Sequence, residues 1–208
     1  MPRGPGSRAG ALLLATSLLL AGCAPRAEPP SASTPPTSPP SLAGRTVMVL
    51  PVQPAPGAGT AAGAEPVPGF DAELARQLIE LAPRVRWVPA TAVERAAQRS
   101  PTLRIRPREL AVTDFHRMKV LRVGEPLFSN LHSLGLLLDA RYALLPWSIA
   151  YVPGAVGASG RFEVGVALID SADGDVLWIG VVAGSDGPES ESATVASAAR
   201  ALAERVAR

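Results

Sequence analysis

The sequence predicts an α/β (α+β) fold, a single sandwich of a roughly five-stranded mixed sheet flanked by helices and preceded by a disordered tether. Three observations predict it. Strand and helix patterns alternate in the first half of the folded region, the apolar period changes to two in the last third, and a Pro, Ser and Thr segment precedes both. We expect three parts: a signal peptide over 1–22, a linker over 23–44 and a globular domain over 45–208.

The N-terminus has the pattern of a lipoprotein signal. Arg3 and Arg8 precede a short apolar run that ends in "LAGC", residues 20–23, which resembles the lipobox of bacterial lipoproteins. The resemblance implies cleavage between Gly22 and Cys23 and lipid attachment, with acyl chains such as palmitate, to this single cysteine. The alternative is an ordinary signal peptide with a cysteine nearby. In either case the run is too short for a spanning helix, which needs about 20 apolar residues.

The residue after the lipidated position bears on localisation. In enterobacterial lipoproteins an aspartate there favours retention in the inner membrane, and this chain has Ala24. The resemblance therefore implies an outer-membrane lipoprotein that faces the periplasm, with the lipid on Cys23 inserted in the outer-membrane leaflet. Each buried methylene contributes about 0.8 kcal/mol, so several acyl chains anchor the chain without spanning the bilayer.

A spacer follows the anchor. Residues 24–41 contain seven prolines and no large apolar side chain, so they cannot bury enough surface to offset the entropy of ordering. At about 3.1 Å per residue, an extended polyproline segment of this length would reach roughly 60 Å from the membrane.

The folded region begins with βα units. "TVMVLPV", residues 46–52, is apolar, rich in β-branched residues and ended by proline, which predicts a strand buried on both faces. A helix then begins near Phe70, with Asp71 as the expected N-cap, and ends at Pro83. "VRWVPA", residues 85–90, predicts a second strand.

The middle of the chain predicts further helices. Thr91 and Glu94 form a capping-box signature before the helix "AVERAAQR". We also expect a helix between Pro107 and Lys119, and another over 125–140, where leucines recur at helical spacing.

The last third has strand periodicity. Residues 142–152 predict a strand with Leu145, Trp147, Ile149 and Tyr151 on one face, and Pro146 indicates a strand start or an edge. "RFEVGVALID" and "DVLWIGVVAG" flank the turn sequence "SADG", which predicts an antiparallel hairpin. A final helix is expected over 191–207.

These pieces together resemble a known group of envelope proteins. "LLDARYALLPWSI", "LIDSADGDVLWIG" and the closing Ala-rich helix are similar to the group that contains the CsgG curli-secretion lipoprotein, the LpoB activator of penicillin-binding proteins and the TolB N-terminal domain. The resemblance spans 46–207, with Pro146 and Trp147 where glycine is usual. A pore subunit would carry additional alternating β-segments. The long linker resembles that of the activators, which implies a domain that reaches another envelope protein.

Charge is balanced overall but unevenly distributed. Loss of Arg3 and Arg8 with the signal lowers the basic count from 20 to 18, equal to the 18 acidic residues, so composition does not indicate a nucleic-acid partner. Ten basic and three acidic residues lie over 84–122, whereas eight acids and four arginines lie from Arg161 onward. The basic part is either a solvated surface or a binding surface for an acidic partner. The candidate residues are Arg104, Arg106, Arg108, Arg117, Lys119 and Arg122.

The sequence nominates no catalytic residue, metal site or cofactor. His116 and His132 lack metal-ligand spacing, and Asp170, Asp173 and Asp175 fit turn capping better than a calcium loop. The strand aromatics Trp147, Trp178 and Tyr151 fit a core better than a sugar-stacking platform.

We therefore expect a non-enzymatic, lipid-anchored envelope lipoprotein whose periplasmic domain binds another envelope protein, as a cell-wall synthesis activator or an export-assembly accessory would. One alternative is an oligomeric secretion-channel component of the curli-secretion type, which leaves self-association open. Another is an enzyme acting on cell-wall glycan, for which a carboxylate pair would be needed.

Overall fold

The computed structural model describes residues 38–54, 65–117 and 119–208. The predicted signal peptide, the cleavage position at Gly22, the lipidated Cys23 and most of the linker lie outside these residues. None of the helices in the described part of the chain has the length and apolar composition needed to cross a membrane.

A five-stranded mixed sheet forms the centre of the domain, in the order β2-β1-β3-β4-β5. β1 is parallel to both β2 and β3, and β3, β4 and β5 form an antiparallel meander. The predicted mixed sheet is thereby confirmed. The strands are β1 (Thr46–Val49), β2 (Arg86–Val88), β3 (Tyr142–Val152), β4 (Arg161–Asp170) and β5 (Val176–Ala183).

Helices cover both faces of the sheet, because the strands bury side chains alternately on either side. Val47 and Val49 of β1 point into a core shared with α1 and α4, whereas Met48 points into a second core with α2 and α3. The fold is therefore the predicted α/β sandwich. The helices are α1 (Phe70–Leu81), α2 (Ala90–Arg99), α3 (Leu127–Leu138) and α4 (Ser192–Ala207).

Packing begins before the first strand. Leu42 is buried in the core beneath α1 and α4, and the backbone N–H of Gly44 donates to the carbonyl of Arg84 at 2.8 Å. The last residues of the predicted linker are thus held by the domain.

Two predicted helix caps are wrong. α1 begins after Gly69, which has a φ of 83°, and Asp71 lies inside the first turn. α2 begins at Ala90, directly after Pro89, so Thr91 is also inside the helix. Asp71 and Glu94, the acidic residues that local spacing assigned to these two caps, are therefore free to make tertiary contacts.

The helix predicted over 107–119 is also wrong. Among the described residues of this region, the 3₁₀ turn Thr113–Arg117 is the helical structure, and the others form a loop. Its apolar residues Leu110, Val112 and Phe115 are buried in the core beneath α2 and α3, so tertiary packing determines the path of the chain.

β3 does not have the single apolar face that its alternation predicts. Its register with β4 shifts between Pro146 and Ser148, which is a β-bulge. Leu145 and Trp147 lie in the core beneath α2 and α3, whereas Ile149 lies in the opposite core. One additional residue reverses the alternation for the rest of the strand.

Pro146 lies in the central strand, so its prediction as a strand start or edge is wrong. Its carbonyl accepts from the backbone N–H of Gln53, at 3.0 Å, on the β1 side. Because N–H and C=O of one strand residue point to the same side, the missing N–H also faces that side, and the β4 ladder loses no bond.

Candidate functional site

The sheet has a switch point at the carboxyl end of β1. The chain leaves β1 through α1 toward β2 on one side, and it returns through α2 and α3 to β3 on the other. Open α/β sheets bind ligands in the crevice outside the carboxyl ends of the strands at such a point. A ligand site of this kind would therefore involve the residues that follow β1.

Gln53 fills the entrance of this crevice. Its side chain is buried, and its Nε2 donates to the carbonyls of Pro51 at 2.6 Å and Pro107 at 2.8 Å. Its Oε1 accepts from the backbone N–H of Leu110 at 2.8 Å. The amide thus fastens the loop around Pro107 to the end of the strand.

Asp71 lies beside Gln53, at the start of α1. Its Oδ1 accepts from the backbone N–H of Val52 at 3.0 Å, so the carboxylate joins α1 to the end of β1. Glu65 takes the capping role that Asp71 was expected to have. Its carboxylate accepts from the N–H groups of Gly69 at 3.1 Å and Asp71 at 2.8 Å.

Arg108 reaches into the crevice from the loop and lies between two carboxylates. Its Nη1 is 3.0 Å from Asp71 Oδ2, and its Nε is 2.6 Å from Glu94 Oε1 on α2. The side chains of Arg108, Asp71 and Glu94 are 16%, 7% and 24% exposed. Nη1 and Oδ2 are close, but their orientation does not make a hydrogen bond, so their attraction is electrostatic. We call Asp71, Glu94 and Arg108 the crevice triad.

Burial determines the ionisation of Asp71. Desolvation raises the pKa of Asp71 to about 6, the hydrogen bond from Val52 lowers it, Glu65 raises it, and the charge of Arg108 lowers it. The pKa of Asp71 in the folded state thus exceeds its ordinary value of 3.8. Between pH 3.8 and about pH 6, Asp71 keeps its proton in the folded state and has lost it in the unfolded state.

This pKa predicts a loss of stability as the pH rises through the range between the two values. The free energy of unfolding should fall by about 1.4 kcal/mol per pH unit within that window. Relative to Asp71→Asn, which cannot ionise, we expect the wild-type chain to lose about 1 kcal/mol between pH 5 and pH 7. Urea unfolding of both chains at several pH values measures this, and a constant difference between them would contradict it.

The six predicted surface residues do not form one patch. Arg104 is exposed with a φ of 53°, and Arg106 is exposed and pairs with Glu109 at 3.0 Å. Arg106 and Arg108 border a cavity of about 380 Å³ against α2. Arg122 lies elsewhere and donates to the carbonyl of Asp173 in the β4–β5 turn at 2.6 Å and 2.8 Å.

The remaining surface predictions are partly within the described residues. Lys119 is exposed, and the backbone of Arg117 ends the 3₁₀ turn while its side chain lies outside the description. Whether these residues bind a partner stays a prediction. Arg108 differs from the others because its charge faces two carboxylates inside the crevice.

The residues nominated for turns and for the core occupy those places. Asp170 and Asp173 accept from the backbone N–H groups of Ala172 at 3.0 Å and Asp175 at 3.2 Å, which is turn capping. Trp147 and Trp178 are buried. The Tyr151 hydroxyl is bonded to the backbones of Gly187 and Gly160.

The crevice triad was missed by sequence reasoning. Asp71 and Glu94 each had a local interpretation as part of a helix N-terminus, and neither is near Arg108 along the chain. The available signal was Gln53, a polar residue directly after a buried strand at the place where α/β sheets hold their ligands.

Comparisons with known proteins found similar structures but no similar sequences. No family model matches the chain, and no curated protein matches it. The LpoB C-terminal domain from Escherichia coli is 20% identical, with 70% of this chain and 85% of that chain covered and a TM-score of 0.39. A lipoprotein from Neisseria meningitidis is 19% identical, with 71% and 84% covered and a TM-score of 0.38.

A third structure, a PelC dodecamer from Paraburkholderia phytofirmans, is 20% identical, with 83% of this chain and 96% of that chain covered and a TM-score of 0.41. LpoB belongs to the group that the sequence resembles. The three likenesses extend no further than the fold.

Proposed function

We propose that this chain is a non-enzymatic outer-membrane lipoprotein, anchored through lipid on Cys23, whose periplasmic domain binds another envelope protein. The partner would belong to cell-wall synthesis or to an export assembly. The lipobox at 20–23 and the proline-rich spacer after it support the anchor and the reach.

The observation that carries the proposal is the occupied crevice. Where an open α/β sheet offers its ligand site, this chain places Gln53, which is hydrogen-bonded to its own backbone, and Arg108, which is ion-paired with its own carboxylates. This arrangement supports a function on the outer surface of the domain. The exposed charges of the loop that follows α2 suit the rim of a protein interface, where charge sets partner choice and encounter rate.

We expect charge reversal on this loop to weaken partner capture. Arg104→Glu, Arg106→Glu and Lys119→Glu together should lower recovery of the partner by about tenfold or more, because like charges then face an acidic surface. The test is a pull-down from detergent-solubilised envelopes with the full chain, followed by mass spectrometry.

The matched control reverses two exposed arginines that lie outside this loop. Arg45 and Arg84 are exposed and precede β1 and β2, so Arg45→Glu with Arg84→Glu should leave capture unchanged. Recovery of no envelope protein above background by the wild-type chain would contradict the proposed function. Equal loss in both variants would contradict the choice of surface.

A further inference from the structure

Two buried atoms of the crevice triad have no hydrogen-bond partner among the described residues. Asp71 Oδ2 and Arg108 Nη1 lie 3.0 Å apart, yet their orientation does not make a hydrogen bond. Arg108 has a second partner, because its Nε lies 2.6 Å from Glu94 Oε1 on α2. The attraction between Asp71 and Arg108 therefore depends on the negative charge of Asp71 alone.

A proton taken up by Asp71 would bind at Oδ2. Oδ1 already accepts from the backbone N–H of Val52 at 3.0 Å, whereas Oδ2 accepts from no donor in the described part of the chain. A protonated Oδ2 is a hydrogen-bond donor, and the guanidinium of Arg108 can only donate. Two donors would then face each other in a buried place, which is unfavourable for both. Protonation thus makes this contact repulsive.

Two charged neighbours shift the ionisation of Asp71. Desolvation is the largest effect on the pKa of Asp71 and brings it to about 6. The charge of Glu65, which caps α1, also raises this pKa, and the charge of Arg108 lowers it. The contact between Asp71 and Arg108 therefore changes sign near pH 6, and withdrawal of Arg108 would favour the proton further.

The other elements around Asp71 present neutral groups or charges that are already paired. The end of β1 contributes the neutral amide of Gln53, and residues 192–196 of α4, beside the start of α1, are uncharged. The paired charges are Glu94 of α2 with Arg108, Glu73 of α1 with Arg76, and Arg86 of β2 with Asp139.

Arg108 has space into which it can withdraw. Together with Glu94 it lines a cavity of about 380 Å³ between α2 and the loop. Gln53 holds the backbone on either side of Arg108, because it bonds to the carbonyl of Pro107 and to the N–H of Leu110. The side chain of Arg108 can therefore change its position while the backbone of the loop stays in place.

We propose that the side chain of Arg108 is a pH-operated arm, held inward by ionised Asp71 and released into this cavity when Asp71 is protonated. Glu94 keeps its contact with Nε in both positions and acts as the pivot. The released guanidinium lies beside Arg106 and Glu109, which line the same cavity. It adds positive charge to the surface to which the proposed function assigns partner binding, so this regulation rests on the proposed function.

Nuclear magnetic resonance of the isotope-labelled full chain in detergent micelles measures the movement without a partner. Between about pH 7.5 and about pH 5, the N–H signal of Val52 should shift as Asp71 takes up its proton, with a midpoint near pH 6. The methyl signals of Ala97 and Ile105, which line the cavity, should shift with the same midpoint as the guanidinium arrives.

Two variants test the cause of the movement. Asp71→Asn can still accept from Val52 but presents an N–H donor to Arg108, so its cavity signals should match those of the wild-type chain in acid at every pH. Glu65→Gln is the matched control, which should keep the shift and lower its midpoint, because Glu65 raises the pKa of Asp71.

The wild-type titration alone can overturn the proposal, so the test does not depend on a variant that folds. A Val52 signal that does not shift in this range, or cavity signals that do not follow it, would do so. An equal shift of the cavity signals in Asp71→Asn would also overturn it.

Partner capture tests the regulation. For the wild-type chain, recovery of the partner should be about threefold or more higher near pH 5 than near pH 7.5, because the released Arg108 adds charge to the surface. Asp71→Asn, measured in parallel, should lack this difference, and the comparison cancels the effect of pH on the partner and on other groups. Equal pH dependence in both chains would contradict the regulation. Absence of any partner at both pH values would contradict the proposed function, whereas the cavity signals decide the arm independently.

Discussion

Replacing Arg108 with alanine should destabilise the domain by about 3 to 5 kcal/mol, the usual cost of removing one member of a buried ion pair. Arg108 is the cation that faces both Asp71 and Glu94 in the crevice triad. Without it, two carboxylates remain at the end of β1 with no opposite charge between them, and the loop loses its attachment to α1 and α2. Urea unfolding at pH 7 measures the change.

The chain contains a matched control two residues away. Arg106 also pairs with a glutamate at 3.0 Å, but its side chain is 76% exposed, so Arg106→Ala should cost less than about 1 kcal/mol. The Arg108→Ala loss should also be smaller at pH 5, where Asp71 is protonated. Equal losses in the two variants would mean that burial does not determine the strength of these pairs.

Replacing Gly165 with alanine should destabilise the domain by about 3 kcal/mol, because the new methyl group has no space. A Cβ there would lie 2.4 Å from Cζ2 of Trp147 and 2.5 Å from Oγ of Ser148. The indole of Trp147 has little room to move away from the new methyl group. The ring of Phe115 stacks on it with the ring centroids 6.4 Å apart, and the ring of His116 lies edge-on to it with the ring centroids 5.0 Å apart. Thermal or urea unfolding measures the loss.

Two further variants distinguish this clash from a general loss of stability on replacing glycine. A Cβ on Gly124 would meet no atom within 4 Å, so Gly124→Ala should change stability by less than about 0.5 kcal/mol. If the clash is with the indole, Trp147→Leu combined with Gly165→Ala should cost less than the sum of the two single changes. Simple additivity would place the strain elsewhere.

The sequence predicted the elements whose pattern is local. The alternation of Phe162, Val164, Val166 and Leu168 predicts β4, and all four lie in one core. The alternation in β3 led to a wrong prediction of its buried face. Trp147, the residue that reverses the alternation, forms a bulge only when β3 pairs with β4. A bulge depends on the partner strand, so a period within one strand does not reveal it.

The candidate site was harder to predict than the fold for a similar reason. Asp71 has the residue type and position of an N-cap, and only the approach of Arg108 from a distant loop gives it another role. Glu65, which lies six residues before Asp71, supplies the capping carboxylate instead. Residue type and spacing thus identify which groups can ionise at the carboxyl end of β1, whereas pairing among them follows from the tertiary fold.

The burial of Leu42 has a mechanical consequence. The chain runs from Leu42, held in the core, directly into β1, the strand between β2 and β3. Tension on the spacer, with the domain held at the carboxyl end of the sheet, would pull β1 along its own axis. Because ladder hydrogen bonds run across the strands, this tension would load the bonds to both neighbours together and in shear, the direction in which a sheet resists force best.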